Sequence, residues 1–191
     1  MRVIARAIIR SGIALIYSQG YNPHPKLSLP LPRNVGLASD DELFCVRIQA
    51  SENLSFTDLI AEQLPDGFEL IWVAVTEKPV TYRSVEVEYL VKPAEKTQRL
   101  LSDIQKINER IQAGSEILIE RTINQKGDVK TVDVAKFLKL FENTGQGVKV
   151  FCKVLPTGTI RPDEILKLLG IEPCEISGSI IRKQITWRID E

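Results

Sequence analysis

Apolar and polar positions alternate along this chain in short runs of two different periods. In residues 2–11, Val3, Ala7 and Ile8, with Ile4 beside them, form an apolar stripe at helical spacing. Arg2, Arg6 and Arg10 recur every fourth residue on another face of the same helix. Gly12 suits its C-terminal cap. "IALIYS" (13–18) then predicts a strand, "QGYNPHPK" (19–26) a loop, and "LSLPLP" (27–32) an extended segment. The two prolines of that segment bar it from a central strand. "ELFCVRIQA" (42–50) predicts a strand, Ser55 an N-cap, 56–64 a helix ended by "PDG", and "FELIWVAVTE" (68–77) a further strand.

From about Val80 a second series begins. "SVEVEYLVK" (84–92) alternates as a strand does, and residues 94–112 carry the stripe of a long amphipathic helix stopped by Gly114. "EILIERTI" (116–123) predicts a strand, "NQKGD" (124–128) a turn, and "KTVDV" (130–134) a brief extended piece. Residues 135–143, "AKFLKLFEN", fit a helix, 147–156 a strand, 161–170 a short helix between Pro162 and Gly170, and 180–189 a closing strand.

The order implies an α+β chain of two ferredoxin-like halves of the β-α-β-β-α-β type, residues 1–79 and 80–191. The second half carries one inserted helix. The first lacks its opening strand, which in that fold usually lies between the third and fourth. Its absence would leave two neighbouring strands without backbone partners, at about 1–3 kcal/mol for each buried unpaired group. The expectation is therefore that native residues precede Met1, or that a neighbouring chain or a later segment fills the gap.

Composition narrows the function classes. Hydrophobic content of 43% and charged content of 26% are those of a soluble globular protein. No apolar run approaches the roughly 20 residues that span a bilayer, and the arginine-studded N-terminus is not a signal peptide, so a cytoplasmic location is expected, with no membrane partner. Cys45, Cys152 and Cys174 are far apart and His24 is the only histidine, which gives no zinc or iron–sulfur spacing. No cofactor and no metal site are expected, and the cysteines read as buried structural thiols.

Net charge is zero, but the distribution is uneven. From Met1 to Ala38 the ionic residues are Arg2, Arg6, Arg10, Lys26 and Arg33, with no acid among them. That local patch is what an anionic ligand would meet. His24 sits between two prolines, with Tyr17, Ser18, Gln19, Tyr21, Asn22 and Lys26 close in sequence. It could act as a general acid or base, contact a ligand, or pin an irregular loop. In "TGTIRPDE", Arg161 could pair with Asp163 or Glu164 or meet a substrate anion, and Thr159 could cap the helix.

Residues 2–36 and the later "PTGTIRPDEILKLLGIEP" resemble the bacterial radical SAM-linked protein family, a domain of unknown function. Tyr17 to Leu27, "YSQGYNPHPKL", resembles that family's central motif, and Arg161 to Leu169 its second. The resemblance covers essentially the whole chain. It departs at the front, where family members usually carry a strand and a Ser-His-Leu-Asp-like segment, so a histidine that could partner His24 is missing. The resemblance implies a radical SAM protein, encoded nearby or fused, as partner, and no mechanism.

The expected function is an accessory or substrate-binding module for such an enzyme, more a binder than a catalyst, with RNA or an RNA-associated protein as substrate. Tyr17 or Tyr21 would stack on bases, and Arg2, Arg6, Arg10, Lys26, Arg33 and Arg161 would meet phosphates. The alternatives are a stand-alone RNA-processing or transfer enzyme, with His24 as acid or base and Lys26 stabilising negative charge, and a protein–protein adaptor.

Overall fold

The structure, a computed structural model, describes residues 2–34, 36–49, 55–95, 97–122 and 127–190. Its elements run α1 (Arg2–Arg10), β1 (Leu27–Ser28), β2 (Leu37–Ser39), β3 (Cys45–Val46), α2 (Phe56–Ala61), β4 (Thr81–Val91), α3 (Gln98–Gln112), β5 (Leu118–Thr122), β6 (Val129–Asp133), β7 (Leu138–Thr144), β8 (Gly147–Lys153), α4 (Pro162–Leu169) and β9 (Ile180–Asp190). This is a mixed α+β chain. Two compact units share it: residues 1–32, 43–82 and 189–191 form the first, and 33–42 with 83–188 the second.

In the first unit, Ile8, Ile13, Leu15 and Ile60 form a buried cluster, lined by Ile4, Phe44, Val46, Ile48, Phe56, Leu59, Leu70 and Val73. Of the stripe expected on α1, Ala7 and Ile8 are buried and Ile4 packs on this core, while Val3 stays exposed. The strands expected at 13–18 and 42–50 are shorter than their patterns imply. Among the described residues of this unit, β1 and β3 pair as a ladder, Leu27 opposite Val46 and Ser28 opposite Cys45. Leu15 with Ile48 and Tyr17 with Pro25 are isolated bridges. The prolines at 23, 25, 30 and 32 remove donors and interrupt pairing.

The strand expected at 68–77 does not form. Leu70 and Val73, three residues apart, pack on the core, while Ile71 is 67% exposed, Trp72 56% and Val75 61%. A strand would have placed alternate residues inward. Thr76 Oγ1 donates to the Lys78 carbonyl and turns the chain before β4.

The second unit holds a five-stranded sheet in the order β2-β9-β4-β8-β7. β2 runs parallel to β9, while β4/β8 and β7/β8 are antiparallel. Val87, Tyr89, Leu90, Val91, Val148, Val150 and Cys152 bury the centre of the sheet. α3 contributes Leu100, Ile104 and Ile107, one side of its helix, and packs against β7 and α4. The Asn108 amide donates to the Phe141 carbonyl (2.8 Å) and accepts from the Phe141 N–H (2.9 Å), so a side chain stands in for a strand on the β7 edge. Gly147 is fixed by a close approach: with φ at 144°, a Cβ there would lie 2.3 Å from the Val91 carbonyl oxygen.

Two expectations change here. Residues 135–143 are a 3₁₀ turn, Ala135–Phe137, followed by β7, and not a helix. The register shifts between Leu138 and Leu140, so Lys139 is an extra residue in the strand. That bulge sets the buried positions Leu138 and Phe141 three apart, which imitates a helical period. The inserted element is thus the β5/β6 hairpin, paired from Leu118–Asp133 to Thr122–Val129. Residues 124–126 of the turn expected at 124–128 lie outside the described residues.

Candidate functional site

Residues 16–26 form a hairpin on the first unit. The Lys26 N–H donates to the Ile16 carbonyl (2.8 Å) and the Ser18 N–H to the His24 carbonyl (2.8 Å). The His24 N–H donates to Ser18 Oγ (3.0 Å). These bonds tie both backbone groups of His24, while its imidazole lies exposed. Gly20, at φ 135°, lets the chain reverse at the tip. Tyr21 at that tip is fully exposed, and Gln19, Asn22 and Pro23 are exposed around it. Tyr17, on the rising arm, is 42% exposed.

The base of the hairpin is a junction of three extended segments. The Ile16 N–H donates to the Arg47 carbonyl, the Arg47 N–H to the Lys26 carbonyl, and the Lys26 N–H to the Ile16 carbonyl, at 2.8–2.9 Å. Three residues from distant points of the sequence therefore close a ring of backbone hydrogen bonds. Arg47 was not a candidate from the sequence. Its alternation with inward Val46 and Ile48 was the available signal, and its place opposite Lys26 was not visible without the register.

α1 belongs to the same unit. Arg6 is exposed on it, and Arg10 Nη2 donates to the Gln63 carbonyl (2.8 Å), which ties the end of the helix to the chain after α2. The Arg2 side chain lies outside what is described. Among the described residues no ion pair involves Arg6, Arg10, Lys26 or Arg47.

The remaining candidates fall elsewhere. Arg33 is exposed and belongs to the second unit. Arg161, also in the second unit, is the N-cap residue of α4. Its N–H donates to Glu164 Oε2 (2.8 Å) and its Nη1 to the Thr122 carbonyl (3.2 Å). Glu164 is 1% exposed and pairs with Arg121, Nε to Oε1 at 2.5 Å and Nη2 to Oε2 at 2.8 Å. The bond to Glu164 pushes the Arg121 pKa up, and its partial burial opposes this. Thr159 Oγ1 donates to the Lys153 carbonyl and caps no helix. The "RPDE" stretch thus forms a clasp between α4 and β5, with Glu164 buried and Arg161 exposed.

A second buried ionic group joins Arg182, Glu42 and Tyr89. Arg182 Nη1 donates to Glu42 Oε1 (2.9 Å). Burial raises the Tyr89 hydroxyl pKa, while the neighbouring Arg182 charge lowers it. The Asp41 carboxylate accepts the Ile185 N–H (2.6 Å), so residues 40–42 fasten along β9.

Cys152 is buried, Cys45 half-buried and Cys174 exposed. Burial pushes the Cys45 and Cys152 thiols up, away from the thiolate form that attacks or ligates. Among the described residues no group of three or more His, Cys, Asp or Glu side chains is placed to hold a metal ion. Nor, among them, is any helix long and apolar enough to cross a membrane.

A family model described as an uncharacterised protein conserved in bacteria (DUF2344) matches residues 1–164. Neither a curated protein nor a solved structure matches the chain.

Proposed function

Since the chain belongs to this uncharacterised bacterial family, DUF2344, we propose that it is a binding module that holds single-stranded RNA on α1 and the 16–26 hairpin. One observation carries the reading: the hairpin is held by backbone hydrogen bonds and presents a bare tyrosine, Tyr21, on a unit whose exposed cations Arg6, Lys26 and Arg47 have no acidic partner among the described residues. A rigid aromatic finger with uncompensated cations suits stacking on a base and contact with phosphate, neither of which needs a fixed sequence.

The radical SAM protein implied by the 17–27 motif is the proposed partner, and it would supply any radical chemistry. We favour binding over catalysis at His24 because the hydrogen bonds hold its backbone, and among the described residues none holds its ring in a fixed orientation. A general acid or base needs that orientation. We also read the second unit as ferredoxin-like. Its first strand, β4, lies between its third, β8, and its fourth, β9, with a helix after the first strand and another after the third.

The test is fluorescence anisotropy with a 12-nucleotide oligouridylate over a salt series. Tyr21→Ala should weaken binding by roughly 5- to 150-fold, from about 1–3 kcal/mol per stacked base. Arg6→Glu should weaken it and flatten its salt dependence. No affinity of the wild-type protein at low salt would end the RNA reading. Copurification with the radical SAM protein that survives nuclease would then favour the adaptor alternative.

A further inference from the structure

We infer that Lys26 and Arg47, with Ser18 and His24 beside them, form a platform for a single phosphate group at the base of the hairpin. The inference rests on the RNA reading above for the source of that phosphate, and the platform itself rests on register.

Leu27 and Val46 are opposite one another and turn inward: Val46 packs on the core and Leu27 lines a small recess with Ile4 and Phe44. Side chains alternate along extended backbone, so the next pair, Lys26 and Arg47, turns outward. The Arg47 N–H bond to the Lys26 carbonyl (2.9 Å) continues that register by one residue. Both side chains are exposed. Directly opposed side chains have Cβ atoms about 4.5–5.5 Å apart, and like charges so placed repel.

The hairpin ladder adds two groups to the same side. Ile16 opposes Lys26 and Ser18 opposes His24, on either side of the Tyr17–Pro25 bridge. His24 and Lys26 are two residues apart on one arm and share a face. Ser18 Oγ accepts the His24 N–H, which leaves its own proton to donate. The face therefore offers an ammonium, a guanidinium, a hydroxyl and an imidazole, with no carboxylate paired to either cation among the described residues. Arginine presents a planar fork that matches two oxygens of a phosphate, and lysine adds a point charge. The ring of backbone bonds through Ile16, Lys26 and Arg47 fixes where the two cations start. An anion between them relieves their repulsion, and a phosphodiester of the bound strand is the ligand whose bases Tyr21 would meet.

The experiment uses the full chain, the 5′-hydroxyl oligouridylate 12-mer as probe, and Arg47→Met, Arg47→Lys and a control on an exposed lysine of the second unit, Lys167→Met. Arg47→Met should lower the slope of log affinity against log salt by about 0.7, the single-strand value for one lost phosphate contact. Arg47→Lys should restore the slope and only part of the affinity, since it keeps the charge and loses the fork. Lys167→Met should change neither. If Arg47→Met leaves the slope unchanged while Arg6→Glu lowers it, the platform is refuted and the RNA reading stands. If the wild-type chain binds no oligouridylate, inorganic phosphate is titrated while the Arg47 Nε–H resonance is followed. A saturable shift then supports the platform as a site for free phosphate, and no shift overturns it as well.

Discussion

Glu164→Ala should be the most damaging single truncation in the second unit. The carboxylate is 1% exposed, takes two contacts from Arg121 and caps the Arg161 N–H. Removing it leaves the half-buried guanidinium of Arg121 without its counter-charge. Breaking one side of a buried pair costs about 3–5 kcal/mol, and the lost cap adds about 1 kcal/mol. A domain stable by roughly 5–15 kcal/mol loses much of its margin. Urea unfolding followed by circular dichroism would read this as a lower midpoint at unchanged slope. The double variant Arg121→Met/Glu164→Leu should recover most of the loss, because an apolar replacement of a buried pair is often neutral or stabilising. A cost below about 1 kcal/mol for Glu164→Ala, or a double variant no better than the single, would refute the clasp and reopen Arg161 and Glu164 as ligand-facing groups.

Gly147→Ala should destabilise by more than the roughly 1–3 kcal/mol of an unfavourable φ alone, since its Cβ would also lie 2.3 Å from the Val91 carbonyl oxygen; a thermal midpoint equal to wild type would contradict this. Cys152 is buried as the neutral thiol, with its pKa pushed above the ordinary 9.0. Its contribution to stability is whole below that ordinary value and is lost as pH rises above it, by up to about 1.4 kcal/mol per pH unit. Urea midpoints at pH 8 and 10 should show this fall, reduced in Cys152→Val. Tyr21→Ala should leave the urea midpoint within about 0.5 kcal/mol of wild type, because a fully exposed ring has no packing to lose. A larger loss would mean that the hairpin tip packs on the fold.

Much of the architecture was legible where one physical signal dominated. α1, α3 and α4 follow from their apolar stripes, and α4 also from Pro162 and from Gly170, whose φ of 62° closes the helix. The sheet strands β4, β8 and β9 follow from alternation and β-branched content. β7 was misread because a single bulged residue converts a period of two into a local period of three. The strands of the first unit were overextended because an apolar run reports burial, whereas a strand also needs a hydrogen-bonding neighbour, and the prolines restrict that. Within the candidate site, the loop at 19–26 was legible from Gly20 and the prolines that flank His24, but its hairpin pairing with residues 16–18 was not. Arg47 was not, since it joins Lys26 only through a backbone register formed across twenty residues of sequence. Arg161 was legible as a helix-start residue, but its local bonds depend on the position of Arg121, Thr122 and Glu164 in three dimensions.

The extended run at 68–77 has a consequence for handling the protein at high concentration. Leu70–Val75, "LIWVAV", holds six apolar residues with no charge, proline or glycine, and four of them, Ile71, Trp72, Ala74 and Val75, are exposed. That is the composition from which chains stack into fibrils when nothing interrupts it. Glu69 and Glu77, both exposed, bracket the run and act as its gatekeepers, since charges at the ends of a sticky segment oppose alignment with a second copy. Colloidal stability of the molecule should therefore rest on two exposed glutamates that belong neither to the core cluster nor to the 16–26 hairpin.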